Sequence, residues 1–143
     1  MPVNLNEKKP KFSASEVLQV YIENSSTIFS EKKSTLFGLF QSKYANFYKA
    51  FLMDSFEFRK FYLTHSLTEL VVPAVKKEYL NKTYIFSSYD ARVDKNKNFS
   101  LYDVLMSTTA APMFFPPHEI PKHGIFFDGK NNNISIFNLF SQL

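Results

Sequence analysis

Asp128 is the side chain of this sequence best placed for acid–base chemistry. It follows the apolar run 125–127 in the stretch "GIFFDGK" and precedes Gly129. A carboxylate at the end of a buried strand is partly desolvated and becomes a better proton acceptor. Gly129 would allow the sharp turn that leaves this carboxylate at the edge of a sheet. On spacing alone, however, the pair is better read as an Asp-Gly turn that ends a strand.

Other nucleophiles and bases have weaker support. The chain has no cysteine, which excludes thiolate catalysis and thiolate zinc sites. His65, His118 and His123 are scattered, and packing or surface roles are commoner for such histidines. Ser107 lacks the flanking glycines of a nucleophile turn, so we expect it to pack at the end of a helix. We predict no metal and no other cofactor.

The elements that would position Asp128 begin with a capped helix. Ser13 and Glu16 have the spacing of a capping box, and apolar residues follow at helical intervals. This pattern predicts a helix from about Ser15 to Asn24. Residues 26–41 are interrupted by polar residues and a glycine, which predicts a loop.

A second helical pattern covers residues 42–63. Aromatic residues recur there at three- and four-residue intervals, with Lys49 among the interleaved charged residues. The spacing predicts an amphipathic helix that is broken near Ser55. Its aromatic face could contact lipid, but an aromatic stripe at helical spacing is more often part of the core.

Two β-rich runs follow, over residues 68–75 and 82–91. A short charged connection separates them, and both are predicted to be strands. Proline has no N–H to donate to a sheet, so Pro73 should place the end of the first strand at a sheet margin.

The last predicted elements lead directly to Asp128. Ser100 and Asp103 have the spacing of a capping box, which predicts a short helix to about Ala110 that is stopped by Pro112. The run 124–128 then reads as a brief buried strand. A helix, a proline corner and a strand in this order can deliver a side chain to the carboxyl end of a parallel sheet, where active sites of open α/β folds collect.

The stretch "STTAAPMFFPPH" and the later Asp-Gly together resemble the patatin-like phospholipase family. That family pairs a Ser-(Ala)-Ala-Pro-x-x-Phe-Pro-Pro segment with a downstream Asp-Gly-Gly or Asp-Gly-Ala. Here Ala110, Ala111 and Pro112 lie in the first motif, and Asp128 and Gly129 form the second. Weaker matches occur upstream in the same order: "FSASEVLQVYIENSSTIF", "SKYANFYKAFL", "LTELVVPAV" and "TYIFSSYDA".

The resemblance covers residues 12–129, which we interpret as the C-terminal part of a patatin-like domain. Residues 1–11 are a polar N-terminal segment, and residues 130–143 are a divergent tail. The resemblance implies an α/β fold, an incomplete three-layer α/β/α domain with a mostly parallel sheet. It also implies a hydrolase of phospholipids or other lipid esters that uses a Ser-Asp dyad. Asp128 would be the aspartate of that dyad.

Two departures from the family pattern matter. No Gly-x-Ser-x-Gly occurs, and Gly38, Gly124 and Gly129 are the only glycines, so there is no glycine-rich oxyanion loop. Lys130 stands where the family keeps a small residue. We therefore expect a truncated chain that holds the aspartate but not the serine. It would be inactive alone, would be poorly soluble or depend on a partner, and could be completed by an N-terminal fragment that supplies the nucleophile.

The alternative is a catalytically inactive remnant that acts as a lipid-surface or protein-interaction module. The formal charge of +4 permits contact with anionic lipid, but the lysines form no single stripe and no nucleic-acid recognition motif is present, so we predict no nucleic-acid partner. The polar start lacks the apolar core of a secretory signal. We predict a cytoplasmic protein. The alternatives are a protein that is peripheral to membranes and one that is exported without a cleavable signal.

Overall fold

The computed structural model describes residues 3–4, 9–10, 12–29, 46–112 and 114–128. The helices there are Ala14–Ile28 (α1), Asn46–Ser55 (α2), Ser88–Val93 (α3) and Leu101–Thr108 (α4). The strands are Val3–Asn4 (β1), Lys9–Pro10 (β2), Val71–Lys76 (β3), Thr83–Ser87 (β4), His118–Ile120 (β5) and Gly124–Asp128 (β6). Helices and strands both occur in the described part, which is a mixed α/β structure, as predicted.

The main sheet has the order β4-β3-β6-β5, and each neighbouring pair is antiparallel. The prediction of a mostly parallel sheet is therefore wrong. The physical reason lies in the connections, because a parallel pair needs a crossover of a dozen or more residues. Residues 77–82 join β3 to β4, and the turn 121–123 joins β5 to β6. Connections this short permit only antiparallel pairing for β3–β4 and β5–β6, whereas the long connection 77–123 between β3 and β6 does not set a direction.

The strand predictions need three corrections. The predicted strand 82–91 ends at Ser87, where the Ser87 hydroxyl accepts the Asp90 N–H at 3.2 Å and caps α3. Strand β5 was not predicted. Pro73 lies inside β3 opposite Ile85 rather than at the strand's end, although the described pairing of β3 with β6 begins only at the next residue, Ala74.

The main core lies on one face of this sheet. Its buried apolar residues are Phe61, Leu63, Ala74, Phe86, Ala91, Phe99, Leu101, Val104, Ile120 and Phe126. The Phe86 ring lies 5.0 Å from the Phe99 ring and 5.3 Å from the Phe126 ring, measured between centroids. Helix α4 contributes Leu101 and Val104 to this core. On the opposite face, Val75 and Phe127 form a smaller cluster.

Helix α1 begins as predicted and ends later. The Ser13 hydroxyl accepts the Glu16 N–H at 3.2 Å, and the Ser13 N–H donates to the Glu16 carboxylate at 2.7 Å. These bonds with the backbone and hydroxyl of Ser13 lower the pKa of Glu16. The helix continues to Ile28, beyond the predicted end at Asn24. Residues 26–28 of the predicted loop 26–41 are therefore helical, and its residues 30–41 lie outside the described part.

Helix α2 ends at Ser55, where the break was predicted. Its Leu52 and Met53, together with Phe56 just after its end, face an apolar cavity of about 380 Å³ between α1, α4 and β3. Phe51 points outward and is 58% exposed. The aromatic face thus belongs to the interior at Phe56 and to the surface at Phe51. Tyr44, part of the same predicted face, lies outside the described residues.

Candidate active site

Helix α4 is fixed at both ends. The Ser100 hydroxyl accepts the Asp103 N–H at 3.1 Å at its start. At its end the Thr108 hydroxyl donates to the Pro73 carbonyl at 2.8 Å, which ties the helix to β3. The helix stops at Thr108, ahead of Pro112, because a proline cannot continue the helical hydrogen bonds. The predicted helix and its stop are confirmed.

The Ala-Ala-Pro motif forms a tight corner after this helix. Ala110 is fully buried and Pro112 is buried. The Ala111 carbonyl accepts the N–H groups of Phe114 at 3.1 Å and Phe115 at 2.9 Å. The small side chain of Ala110 lets the corner lie close to the sheet. A larger residue would have to displace neighbouring core atoms.

Asp128 lies at the end of β6, as predicted, and is directly bonded to this corner. Its backbone N–H donates to the Ala110 carbonyl at 3.0 Å. It pairs with Ala74 of β3 and is partly buried. Directly opposite residues of an antiparallel pair point to the same face, so the Asp128 side chain lies on the face that carries Ala74 and the main core. We call residues 101–128, from α4 to Asp128, the Asp128 corner.

Gly129, the second residue of the Asp-Gly motif, lies outside the described residues. The turn predicted for it is therefore not described. The Asp128 backbone is placed by its bond to Ala110, and its catalytic role stays a prediction.

Lys49 is the residue near Asp128 that sequence reasoning missed. It is only 4% exposed. Its Nζ donates to the Thr109 hydroxyl at 3.1 Å and to the Thr109 carbonyl at 3.3 Å, and it lies 4.3 Å from the centre of the Phe115 ring. Burial lowers the pKa of Lys49 to about 8, against the opposing effect of the Asp128 charge.

A signal in the sequence could have identified this lysine. Lys49 precedes Leu52, Met53 and Phe56 by three, four and seven residues. These are the intervals of one helix face. The lysine therefore occupies a position on the apolar face, where a solvated charge is not expected.

The histidines have separate surroundings. His118 Nε2 lies 2.9 Å from Asp103 Oδ1, which links β5 to α4. Burial would raise the pKa of Asp103, but its hydrogen bonds with His118 and Ser100 together lower it. His65 Nδ1 accepts the Tyr62 N–H at 3.2 Å. Each of these two histidines has a local structural contact, in keeping with the packing role expected of them.

The other two candidate residues, His123 and Ser107, also lie in packed positions. The His123 ring packs edge-on to Phe99, with centroids 4.7 Å apart. Ser107 is fully buried, and its hydroxyl has no hydrogen-bond partner among the described residues. Such a serine is packed inside the protein, as expected, and is not presented to a substrate.

Among the residues that the structure describes, no group of three or more His, Asp or Glu side chains is arranged to hold a metal ion. None of the described helices is long and apolar enough to cross a membrane.

The chain is similar to plant proteins over most of its length. It is 33% identical to patatin-like protein 4 of Arabidopsis thaliana over 135 residues, which are 92% of this chain and 31% of the relative. It is 33% identical to patatin-like protein 2 of Oryza sativa subsp. indica, covering 87% of this chain and 30% of that protein. Patatin-12 of Solanum tuberosum is 28% identical, over 92% of this chain and 31% of that protein.

These similarities cover most of the chain but only part of each relative. The chain spans about a third of the length of the curated relatives it matches. No family model matches it. The region matched in patatin-like protein 4 is long enough to include both motifs, the one around Ala110 and the one at Asp128. The chain belongs to the patatin-like protein family.

Proposed function

We propose that this chain provides the catalytic aspartate of a patatin-like lipid acyl hydrolase, and that this aspartate is Asp128. One observation carries the proposal: the Asp128 N–H is bonded to the Ala110 carbonyl. The two sequence motifs that resemble the family thus meet in space. A simple turn residue would need no such contact with the Ala-Ala-Pro corner.

The proposed chemistry follows from the needs of ester hydrolysis. A serine hydroxyl is a weak nucleophile, and a neighbouring base must take its proton as it attacks the ester carbonyl. Asp128 would accept that proton and pass it to the departing alcohol, leaving an acyl-serine. Water would then attack the acyl-serine, with Asp128 accepting the water proton and returning it to the serine oxygen.

The serine and the oxyanion donors come, in this proposal, from a segment outside these residues. The sequence contains no Gly-x-Ser-x-Gly and no glycine-rich loop. That segment is a partner fragment or another part of a longer protein. The chain by itself is then inactive, with a phospholipid or other lipid ester as the substrate of the completed enzyme.

A second function is favoured by one observation. Leu18 and Ile22 lie one turn apart on α1 and are 59% and 62% exposed. Apolar side chains on the surface of a helix, in a chain with a net charge of +4, suit a peripheral contact with anionic lipid. The alternative is therefore a catalytically inactive lipid-surface or protein-interaction module, acting in the cytoplasm.

A grafted enzyme tests the first function. We would replace the matching segment of patatin-like protein 4 with this chain, verify folding by circular dichroism, and measure hydrolysis of a fluorogenic phospholipid. We expect hydrolysis by the graft, at least a hundredfold less with Asp128→Asn, since a general base contributes roughly 10²–10⁴-fold. Asp103→Asn is the matched control and should keep most of the activity.

Three results would decide against the proposal. They are a folded graft without hydrolysis, a graft that is unaffected by Asp128→Asn, and equal losses in the two variants. Binding of the chain to anionic vesicles without hydrolysis by the graft would support the alternative function.

A further inference from the structure

Lys49 is a buried cation in the middle of α2. It is the one lysine among the described residues that is buried. Burying an ammonium group is costly unless it has hydrogen-bond partners and an opposite charge nearby. Lys49 has both. Thr109 accepts two of its hydrogen bonds, and Asp128 is the charged group that acts on it.

The partners of Lys49 all belong to the Asp128 corner. Thr109 immediately precedes Ala110, whose carbonyl accepts the Asp128 N–H. Phe115, the ring beneath the ammonium group, follows the turn around Ala111. The Lys49 side chain therefore contacts Thr109 before the turn and Phe115 after it. The Ala110 carbonyl in this turn accepts the Asp128 N–H.

The sequence position of Lys49 argues against a role in stability alone. Leu52 and Met53, three and four residues further along α2, line an apolar cavity, so an apolar residue at position 49 would suit the same face of the helix. Replacing a buried charge with an apolar residue of similar volume is often neutral or stabilising. A lysine at this position is better explained by its hydrogen bonds to Thr109 and by its attraction to the Asp128 charge, both within the Asp128 corner.

We propose that Lys49 is a positioning residue for Asp128: its buried ammonium group fixes the turn after α4 and orients the Asp128 carboxylate from helix α2. The inference rests on the proposed function, because a residue that positions Asp128 serves catalysis only if Asp128 is catalytic. The coupling between the two side chains can nevertheless be measured without any hydrolysis.

The first experiment titrates Lys49 in the full chain. Side-chain NMR of labelled lysine would follow the Lys49 signal with pH. We expect a pKa of about 8 in the unmodified protein and a lower one in Asp128→Asn, because the negative charge that favours the ammonium form is gone. Asp103→Asn is the matched control and should leave the Lys49 titration unchanged. An unchanged titration in Asp128→Asn would overturn the proposal.

The second experiment measures the order of the corner by amide hydrogen exchange. In Lys49→Met, which keeps the length of the side chain, we expect the Asp128 amide to exchange roughly tenfold faster through local opening. Lys49→Arg keeps the charge and should restore most of the protection. The Ser88 amide, which donates to the Leu70 carbonyl at 3.0 Å, reports on the rest of the sheet and should not change.

The outcomes separate a positioning role from a structural one. Equal acceleration of the Asp128 and Ser88 amides would mean that Lys49 only stabilises the fold. No acceleration at Asp128 would mean that it does not fix the corner. If Lys49→Met fails to fold, the Lys49 titration in the unmodified protein and in Asp128→Asn decides whether the two side chains are coupled. A graft that loses hydrolysis on Asp128→Asn without coupling to Lys49 would overturn this inference and leave the proposed function intact.

Discussion

The Asp128 corner and helix α1 differ in how completely their apolar side chains are covered. In the corner, Val104 is 1% exposed, Phe126 is fully buried and Phe127 is 4% exposed. In α1, Leu18 and Ile22 are more than half exposed, and Ile28 is its one buried residue. The corner is held by packing from several elements. Helix α1 is held by its cap, by its contacts around the cavity and by the edge of Phe12 against Phe56.

This difference separates two kinds of apolar residue in one sequence. Val104 and Ile22 are both apolar residues of a helix, yet only the first is enclosed. The enclosed residues support the place where Asp128 lies, whereas the exposed ones are available to a lipid surface or another protein. We therefore expect the stability of the fold to be concentrated in the Asp128 corner.

The largest effect is expected from Phe126→Ala. Removing this fully buried ring should lower the free energy of unfolding by about 3–5 kcal/mol, from lost burial and the cavity left behind. Urea unfolding followed by circular dichroism measures it. Ile22→Ala, at a site 62% exposed, is the control and should change stability by less than about 0.5 kcal/mol. Similar losses in the two variants would remove the distinction between the regions.

Ala110→Leu should have the next largest effect. The side chain of Ala110 is fully buried where the corner meets β6, and overpacking such a site costs about 1–3 kcal/mol. Thermal unfolding measures the loss. Ala14→Leu, at the exposed start of α1, adds the same atoms in solvent. If both variants were equally stable, the corner would be more loosely packed than described.

Asp103→Asn should reduce stability in a pH-dependent way. The pKa of Asp103 is lowered in the folded protein, chiefly by its bonds with His118 and Ser100 against the effect of burial. Its contribution is therefore present above the unfolded value of about 3.9 and is lost as the pH falls through the lower folded value. At pH 5 the substitution should cost on the order of 1–2 kcal/mol, toward the low end for a hydrogen bond to a charged group because Asp103 is partly exposed.

Urea unfolding from pH 6 to pH 2 provides the measurement for this pair. The difference between the unmodified protein and Asp103→Asn should shrink below about pH 4. Glu119→Gln, at an exposed position on β5, is the matched control and should leave the profile unchanged. A difference that grows with acid would contradict the assigned direction.

Ser13→Ala should have the smallest effect and should act on α1 alone. The substitution removes the hydroxyl that accepts the Glu16 N–H, and loss of such a cap costs roughly 1 kcal/mol. Amide exchange in the first turn of α1 should accelerate while the Asp128 amide stays protected. Ser26→Ala, at an exposed position of the same helix, is the control. Acceleration at Asp128 would show that α1 and the corner open together.

Local signals in the sequence predicted the elements that carry Asp128. The caps at Ser13 and Ser100, the stop before Pro112 and the strand before Asp128 depend on side chains within a few residues of each other. Such interactions can be read from spacing. The meeting of Asp128 with Ala110 was not predicted, since spacing gives no long-range contact.

The sheet could not be predicted with the same rules. The family resemblance suggested parallel strands, but the length of the connection 77–82 was the better guide to direction. The capping serine Ser87 was read as part of a strand, although Asp90 follows it at capping distance. The burial of Lys49 depends on the place where α2 meets the Asp128 corner, and a single helical pattern does not contain that information.

The pairing of Ala74 with Asp128 has a consequence for the order of folding. Hairpin β3–β4 joins near neighbours in the chain, whereas the pairing of β3 with β6 must close the whole intervening loop. The entropy of loop closure disfavours such distant contacts until local ones have formed. We therefore expect the β3–β4 hairpin to act as the template and β6 to dock late. During synthesis, Asp128 would leave the ribosome after every other described element and would complete the sheet as it arrives.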